Sequence, residues 1–350
     1  MNRATAHARM SHSDSAHHAP TPFLPARGLA NPHLQTLASS LFRHPPRLNR
    51  RRDRLETPDG DFVDLDWAGH PERGVILLLH GLTGSSNSVY IRSLQQALIR
   101  RGYSSVALNF RGCGGTPNRL ARCYHSGDTD DVHHLYEQVR VRHPGLPIGA
   151  VGFSLGGNVL LKWLGERQPD LRAAVAVSVP FLLNRCADRM DTGFSRLYRD
   201  RLLTELRDYL AAKLHYLERS GNREEARKLR ALGDLSDARS FWEFDGRVIA
   251  PLYGFRDAAD YYARCSSRPF IRHIRTATLV LHAEDDPFVP ADAIPNADEC
   301  ARSVQLEISR HGGHVGFMGR RGGLMPHYWL DARIVHFLDQ HLPASAERDR

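Results

Sequence analysis

Lysine is nearly missing from this 350-residue chain: of its 47 basic side chains only Lys162, Lys213 and Lys228 are lysines, so 44 are arginines. Against 39 acidic residues the formal charge is +8, with a pI near 9.5. Cysteine is also scarce. The five cysteines, at 113, 123, 186, 265 and 300, are odd in number and hold no Cys-x-x-Cys pair, which excludes a disulfide framework and a zinc ribbon and points to reduced thiols in a cytoplasm. Long apolar runs are absent as well. The aliphatic run Val75 to Leu79 falls far short of the roughly 20 residues a bilayer-crossing helix needs. Met1 to Pro20 mixes His, Ala, Ser and Arg without an apolar stretch, so it reads as a solvated tail and not as a secretory signal. The sharpest basic cluster, Arg47, Arg50, Arg51, Arg52 and Arg54, has no interleaved aromatics and no nucleic-acid motif beside it. It reads as a solvated flank of the first strand; a nucleic-acid partner is not expected, and an anionic lipid surface suits the charge better.

What is present describes a globular protein: 41% apolar and 25% charged residues, in a chain long enough to bury roughly 75% of its unfolded surface. From Arg54 onward short aliphatic runs alternate with helical patterns, the rhythm of an α/β fold with a mostly parallel central sheet flanked by helices. Strands are expected at Phe62 to Trp67, Val75 to His80, Ser105 to Phe110, Ile148 to Phe153, Ala173 to Ser178, Thr278 to Ala283 and Val304 to Ile308. Between Pro180 and about Phe270 the strand signal stops. There Phe194, Leu197, Tyr198, Leu202, Leu206, Tyr209, Leu210, Leu214 and Leu217 recur at helical steps, and Asn222 with Glu225 has the spacing of a capping box. This segment reads as a helical cap laid over a cleft. The expected organisation is therefore a tail over 1–22, a core over 23–179, a helical cap inserted at 180–270 before the acid-bearing strand, the rest of the core over 271–342, and a tail over 343–350.

Chemistry enters at Gly152-Phe153-Ser154-Leu155-Gly156. A Gly-x-Ser-x-Gly match arises by chance in about one sequence of seven at this composition, but here it closes a strand and opens a helix with an apolar face at Val159, Leu160, Trp163 and Leu164. Ser154 thus sits on a sharp turn at a helix N-terminus, where free N–H groups favour an oxyanion. A serine nucleophile needs a base, and the base needs a group that fixes its tautomer. His282-Ala283-Glu284-Asp285-Asp286-Pro287 follows the strand at Thr278, so its carboxylates emerge on the edge that bears Ser154. Asp286, fixed by Pro287, is the expected acid and Asp285 its rival. His314, 28 residues after Asp286 in His311-Gly312-Gly313-His314-Val315-Gly316, is the expected base. A metal site from His282, Asp285, Asp286, His311 and His314 is the weaker reading, because no metal-protease helix motif accompanies them. The loop His80-Gly81-Leu82-Thr83-Gly84 and the residue after the serine supply candidate oxyanion donors, the N–H groups of Leu82 and Leu155. His80 reads as a brace of that loop.

Several stretches together resemble the YheT-like branch of the α/β-hydrolases, the AB hydrolase 4 family. They are Phe23-Leu24-Pro25, Asn31 to Thr36, His80 to Ser86, Asn109 to Gly115, Tyr124 to Asp128, Gly152 to Asn158, Phe244-Asp245, Tyr261-Tyr262, Asp285 to Pro287 and Gly312 to His314. The resemblance runs from about Phe23 to His341. It implies a Ser-Asp-His hydrolase of carboxylic esters with a helical cap, carried residue for residue onto Ser154, Asp286 and His314. It also implies a small-molecule ester substrate with an apolar, short- to medium-chain or lipid-like acyl group, and no cofactor. Eukaryotic relatives often carry an N-terminal membrane anchor, a role Met1 to Pro20 cannot fill, so peripheral membrane contact is the form such an association would take. An acyltransferase, an amidase and a binding module with an idle triad share these residues. Oligomeric state, and any role of Tyr90, His125 and Asn158 beyond shaping the cleft, are not legible.

Overall fold

The computed structural model describes residues 22–41, 43, 46–320 and 326–342. The expected tails, over 1–22 except its last residue and over 343–350, lie outside the described residues. The chain begins with α1 (Pro32–Leu41), β1 (Arg50–Glu56), β2 (Phe62–Ala68), β3 (Gly74–Leu79), α2 (Val89–Ile99), β4 (Tyr103–Asn109), α3 (Asp130–Arg142), β5 (Ile148–Phe153), α4 (Leu155–Arg167) and β6 (Ala173–Val177). Helices α5 (Leu183–Met190), α6 (Ser195–Arg219), α7 (Arg223–Arg230), α8 (Phe241–Arg247), α9 (Ile249–Tyr253) and α10 (Ala258–Cys265) follow. Strands β7 (Thr278–Ala283), β8 (Val304–Ser309), β9 (Met318–Arg320) and β10 (Pro326–Tyr328) and helix α11 (Trp329–His341) complete it. No described helix is long and apolar enough to cross a membrane.

The sheet order is β1-β2-β4-β3-β5-β6-β7-β8. Neighbours are antiparallel from β1 to β4 and parallel from β4 to β8. Strand β3 shows why its sequence is apolar at every step. Val75, Leu77 and Leu79 pack on one face with Val159, Leu160 and Trp163 of α4, whereas Ile76 and Leu78 pack on the other with Leu94 and Leu98 of α2 and Ile334 and Leu338 of α11. A strand covered on both faces has no place for an outward polar residue. The parallel strands all end on one edge, where loops gather.

Three expectations need correction. Four of the five clustered arginines, Arg50, Arg51, Arg52 and Arg54, do not flank the first strand but form it, with Arg47 just ahead of it. Arg50 to Arg54 run within β1, paired residue by residue with β2. Arg52 grips Asp66 through two hydrogen bonds of 3.0 and 2.7 Å, Arg54 reaches Asp64 at 2.9 Å, and Arg54 also lies over the Phe62 ring. A charged edge strand exists because its cross-strand carboxylates satisfy it. Next, the stripe expected on α6 turns: Leu203, Leu206, Leu210 and Leu217 are buried, but Phe194 and Leu197 are 48% and 59% exposed. Finally, Asn222 and Glu225 make no capping box. Asn222 donates to Arg119 O and Glu225 accepts from Ala121 N, so both side chains clamp a neighbouring loop.

Candidate active site

Ser154 joins β5 to α4 with φ 52° and ψ −121°, a left-handed conformation strained for any residue with a side chain. Its N–H is anchored on Val177 O at 2.8 Å. The flanking glycines are steric requirements. A Cβ on Gly152 would lie 2.4 Å from Gly156 O, and one on Gly156 would lie 2.5 Å from His80 O. The serine makes no capping hydrogen bond with its own helix; its Oγ instead lies 2.9 Å from His314 Nε2.

His314 Nδ1 is 2.8 Å from Asp286 Oδ2, and the other oxygen of that carboxylate accepts the Phe288 N–H at 2.8 Å. The Asp286 side chain is fully buried and that of His314 nearly so. Phe288 stacks on the imidazole with centroids 4.2 Å apart and planes inclined by 16°. The rival, Asp285, faces elsewhere: its oxygens meet His311 Nδ1 at 3.1 Å and the Gly313 N–H at 2.9 Å. His282, the remaining member of the weaker metal reading, is sealed beside Phe181 with both ring nitrogens unpartnered, and burial lowers its pKa to about 4. Among the described residues no group of three or more His, Cys, Asp or Glu side chains is arranged to hold a metal ion.

The loop after β3 lies against the serine: a Cβ on Gly81 would be 3.2 Å from Ser154 Cβ. Tyr90 Oη accepts the Gly81 N–H at 2.9 Å and Tyr124 Oη accepts the Thr83 N–H at 3.0 Å. Between them the Leu82 N–H has no acceptor among the described residues, nor has the N–H of Leu155 at the start of α4. Two unspent donors therefore border the cavity that contains Ser154 and His314. His80, fully buried with a pKa lowered to about 4 by burial, donates from Nδ1 to Gly81 O at 2.7 Å and accepts the Phe110 N–H at Nε2 at 3.2 Å. A neutral imidazole with that tautomer ties the loop to the end of β4.

The cavity holds about 500 Å³ and is walled by α1, the loops after β3 and β6, and helices α5, α6, α8, α9 and α10. Leu183, Met190, Leu202, Leu206, Phe244 and Ile249 make most of its surface apolar. The supports missed by sequence reasoning belong to stretches already singled out. Thr36 Oγ1 accepts the His314 N–H at 2.9 Å and Gln35 Oε1 accepts the Met318 N–H at 2.7 Å, so α1 braces the histidine loop. Asn158 links Ser126 O, Cys265 O and Ser267 N, at 2.7, 2.8 and 2.9 Å. His125 is buried among Tyr253, Phe255 and Tyr261.

Comparison with known proteins agrees with this architecture. Residues 74–320 match the family described as alpha/beta hydrolase fold. The chain is 40% identical over 331 residues to "Putative esterase YheT" of Escherichia coli, spanning 93% of this chain and 95% of that one. It is 30% identical over 299 residues to the phospholipase ABHD3 of Mus musculus, spanning 81% and 70%. A solved esterase of Pyrococcus furiosus superposes with a TM-score of 0.55 over 92% of this chain and 98% of its own, at 16% identity, a likeness of fold.

Proposed function

The chain belongs to the YheT-like α/β-hydrolases, and from that premise we propose that it is a carboxylic ester hydrolase working through Ser154, His314 and Asp286. The observation that carries the reading is the unbroken relay from Ser154 Oγ to His314 at 2.9 Å and from His314 to Asp286 at 2.8 Å. In this mechanism His314 Nε2 takes the serine proton while Oγ attacks the ester carbonyl. Asp286 keeps the Nδ1–H in place and stabilises the imidazolium that forms. The Leu82 and Leu155 N–H groups receive the oxyanion, an interaction typically worth about 3 kcal/mol of barrier per donor. The protonated His314 then delivers the proton to the departing alcohol, and water activated by the same imidazole releases the acid from the acyl-enzyme. Helices α5 to α10 act as a cap over the reacting carbonyl. The apolar cavity beneath them suits a short- to medium-chain or lipid-like acyl group.

The test is direct. Ser154→Ala should remove p-nitrophenyl ester turnover and labelling by a fluorophosphonate while the thermal unfolding midpoint stays near that of the parent. A variant hydrolysing the ester at the parental rate would refute the mechanism.

A further inference from the structure

Among the carboxyl groups lining the cavity, Glu205 is neutralised by Arg201 at 2.8 Å. Asp245 has no cationic partner among the described residues. It stands on α8 inside the apolar wall formed with Phe241, Phe244 and Ile249, half-buried, as a lining residue of the cavity. One oxygen, Oδ2, accepts the Tyr262 phenol of α10 at 2.7 Å; Oδ1 accepts nothing from the described residues. Trp242 meets the Tyr262 ring edge-on at 4.7 Å and holds the phenol in place. A carboxyl placed among hydrocarbon side chains without a counter-charge is costly unless something on the cavity side completes its hydrogen bonding.

We infer that Asp245 and Tyr262 form a polar subsite in the cavity wall that binds a hydroxyl group carried by the substrate. This deepens the ester-hydrolase reading and rests on it. A neutral hydroxyl fits better than an ammonium for a chemical reason. Burial pushes the Asp245 carboxyl up to about 7, so near neutral pH it is present both protonated and ionised. A hydroxyl accepts from the first form and donates to the second, whereas an ammonium pairs only with the second. The hydroxyl has two sources, the acyl chain or the alcohol moiety, and either presents the same chemistry to Oδ1.

Two arms of one kinetic experiment separate those sources. The first compares ω-hydroxyacyl with plain acyl p-nitrophenyl esters of matched length, with an ω-ammonio series alongside; the second compares hydroxyalkyl with alkyl esters of one acyl chain. In at least one arm the parent should favour the hydroxylated ester in kcat/KM by about tenfold or more, and Asp245→Leu should erase that ratio. Asp245→Asn, whose amide still donates and accepts, should retain it; a residue that only joins α8 to α10 would leave the ratio untouched in every variant. No hydroxyl preference by the parent in either arm, or an unchanged ratio in a folded Asp245→Leu, overturns the subsite. Preference for the ammonio series that disappears in Asp245→Asn overturns the hydroxyl in favour of a cation. If the parent hydrolyses no ester, the ester-hydrolase reading fails on its own. Calorimetry then decides the subsite: α,ω-alkanediols must bind more tightly than 1-alkanols of equal length, and equal affinities overturn it.

Discussion

Asp285 and Asp286 are neighbours in the chain with opposite surroundings. The carboxylate of Asp286 is fully buried and aligned on His314 Nδ1, while Asp285 spends its oxygens on His311 and the Gly313 N–H. An amide at 286 would turn a donor toward Nδ1 and force the imidazole proton onto Nε2, leaving no base facing Ser154. Asp286→Asn should therefore lower kcat for a p-nitrophenyl ester by about 10⁴-fold. Asp285→Asn keeps an oxygen for the Gly313 N–H and should change kcat by about tenfold or less. Equal losses in the two variants would show that the neighbours do not divide their roles in this way. The preference for Asp286 could be formed from sequence because Pro287 fixes the chain beside it. The stacking of Phe288 on His314 could not, since nothing in the spacing of an aromatic two residues further on says which ring it will cover.

At the scale of elements, apolar runs and alternations were legible and cross-strand charge pairing was not. Strands β5 and β7 have the bounds their apolar runs suggest, and β3 differs by one residue at each end, because strands covered on both faces write a continuous signal. Strand β1 was hidden by its composition: Arg50 to Glu56 looks like solvated charge until Asp64 and Asp66 on β2 supply its partners. The Asn31 to Thr36 stretch that opens α1 was singled out, but its task was silent, because its support of His314 passes through Thr36 Oγ1, a contact 278 residues distant in sequence. Asn158 shows how much one such side chain ties together. From α4 it holds the loop carrying Ser126 and the end of α10 with three buried hydrogen bonds. Asn158→Ala would strand two carbonyls and an N–H in the interior, where each unsatisfied group costs about 1–3 kcal/mol. Urea unfolding should show a loss of about 3 kcal/mol or more; a midpoint matching the parent would mean that the clamp contributes nothing to stability.

Over the whole molecule, the described histidines divide by burial in a way their sequence positions do not announce. His80 and His282 have pKa values lowered to about 4 and His125 to about 3, in each case chiefly because burial disfavours the charged ring. The unfolded chain, titrating near 6.5, takes up protons that the folded state refuses. The stability associated with these rings is thus complete above about pH 6.5 and lost progressively as pH falls toward 4. Asp245, raised to about 7, acts in the opposite sense over that interval, because the folded carboxyl keeps a proton the unfolded one has released. A comparison of two proteins isolates a single ring. His282 suits this purpose, since both its nitrogens are buried without partners and leucine fills a similar volume. His282→Leu should be at least as stable as the parent near pH 7.5, having removed two unsatisfied polar atoms. Between about pH 6 and 4.5 its unfolding free energy should fall less steeply than the parent's, by about 1.4 kcal/mol per pH unit, the weight of one proton. Urea titrations at several pH values measure both slopes, and parallel profiles would show that the folded protein admits a proton at His282 as readily as the unfolded chain does.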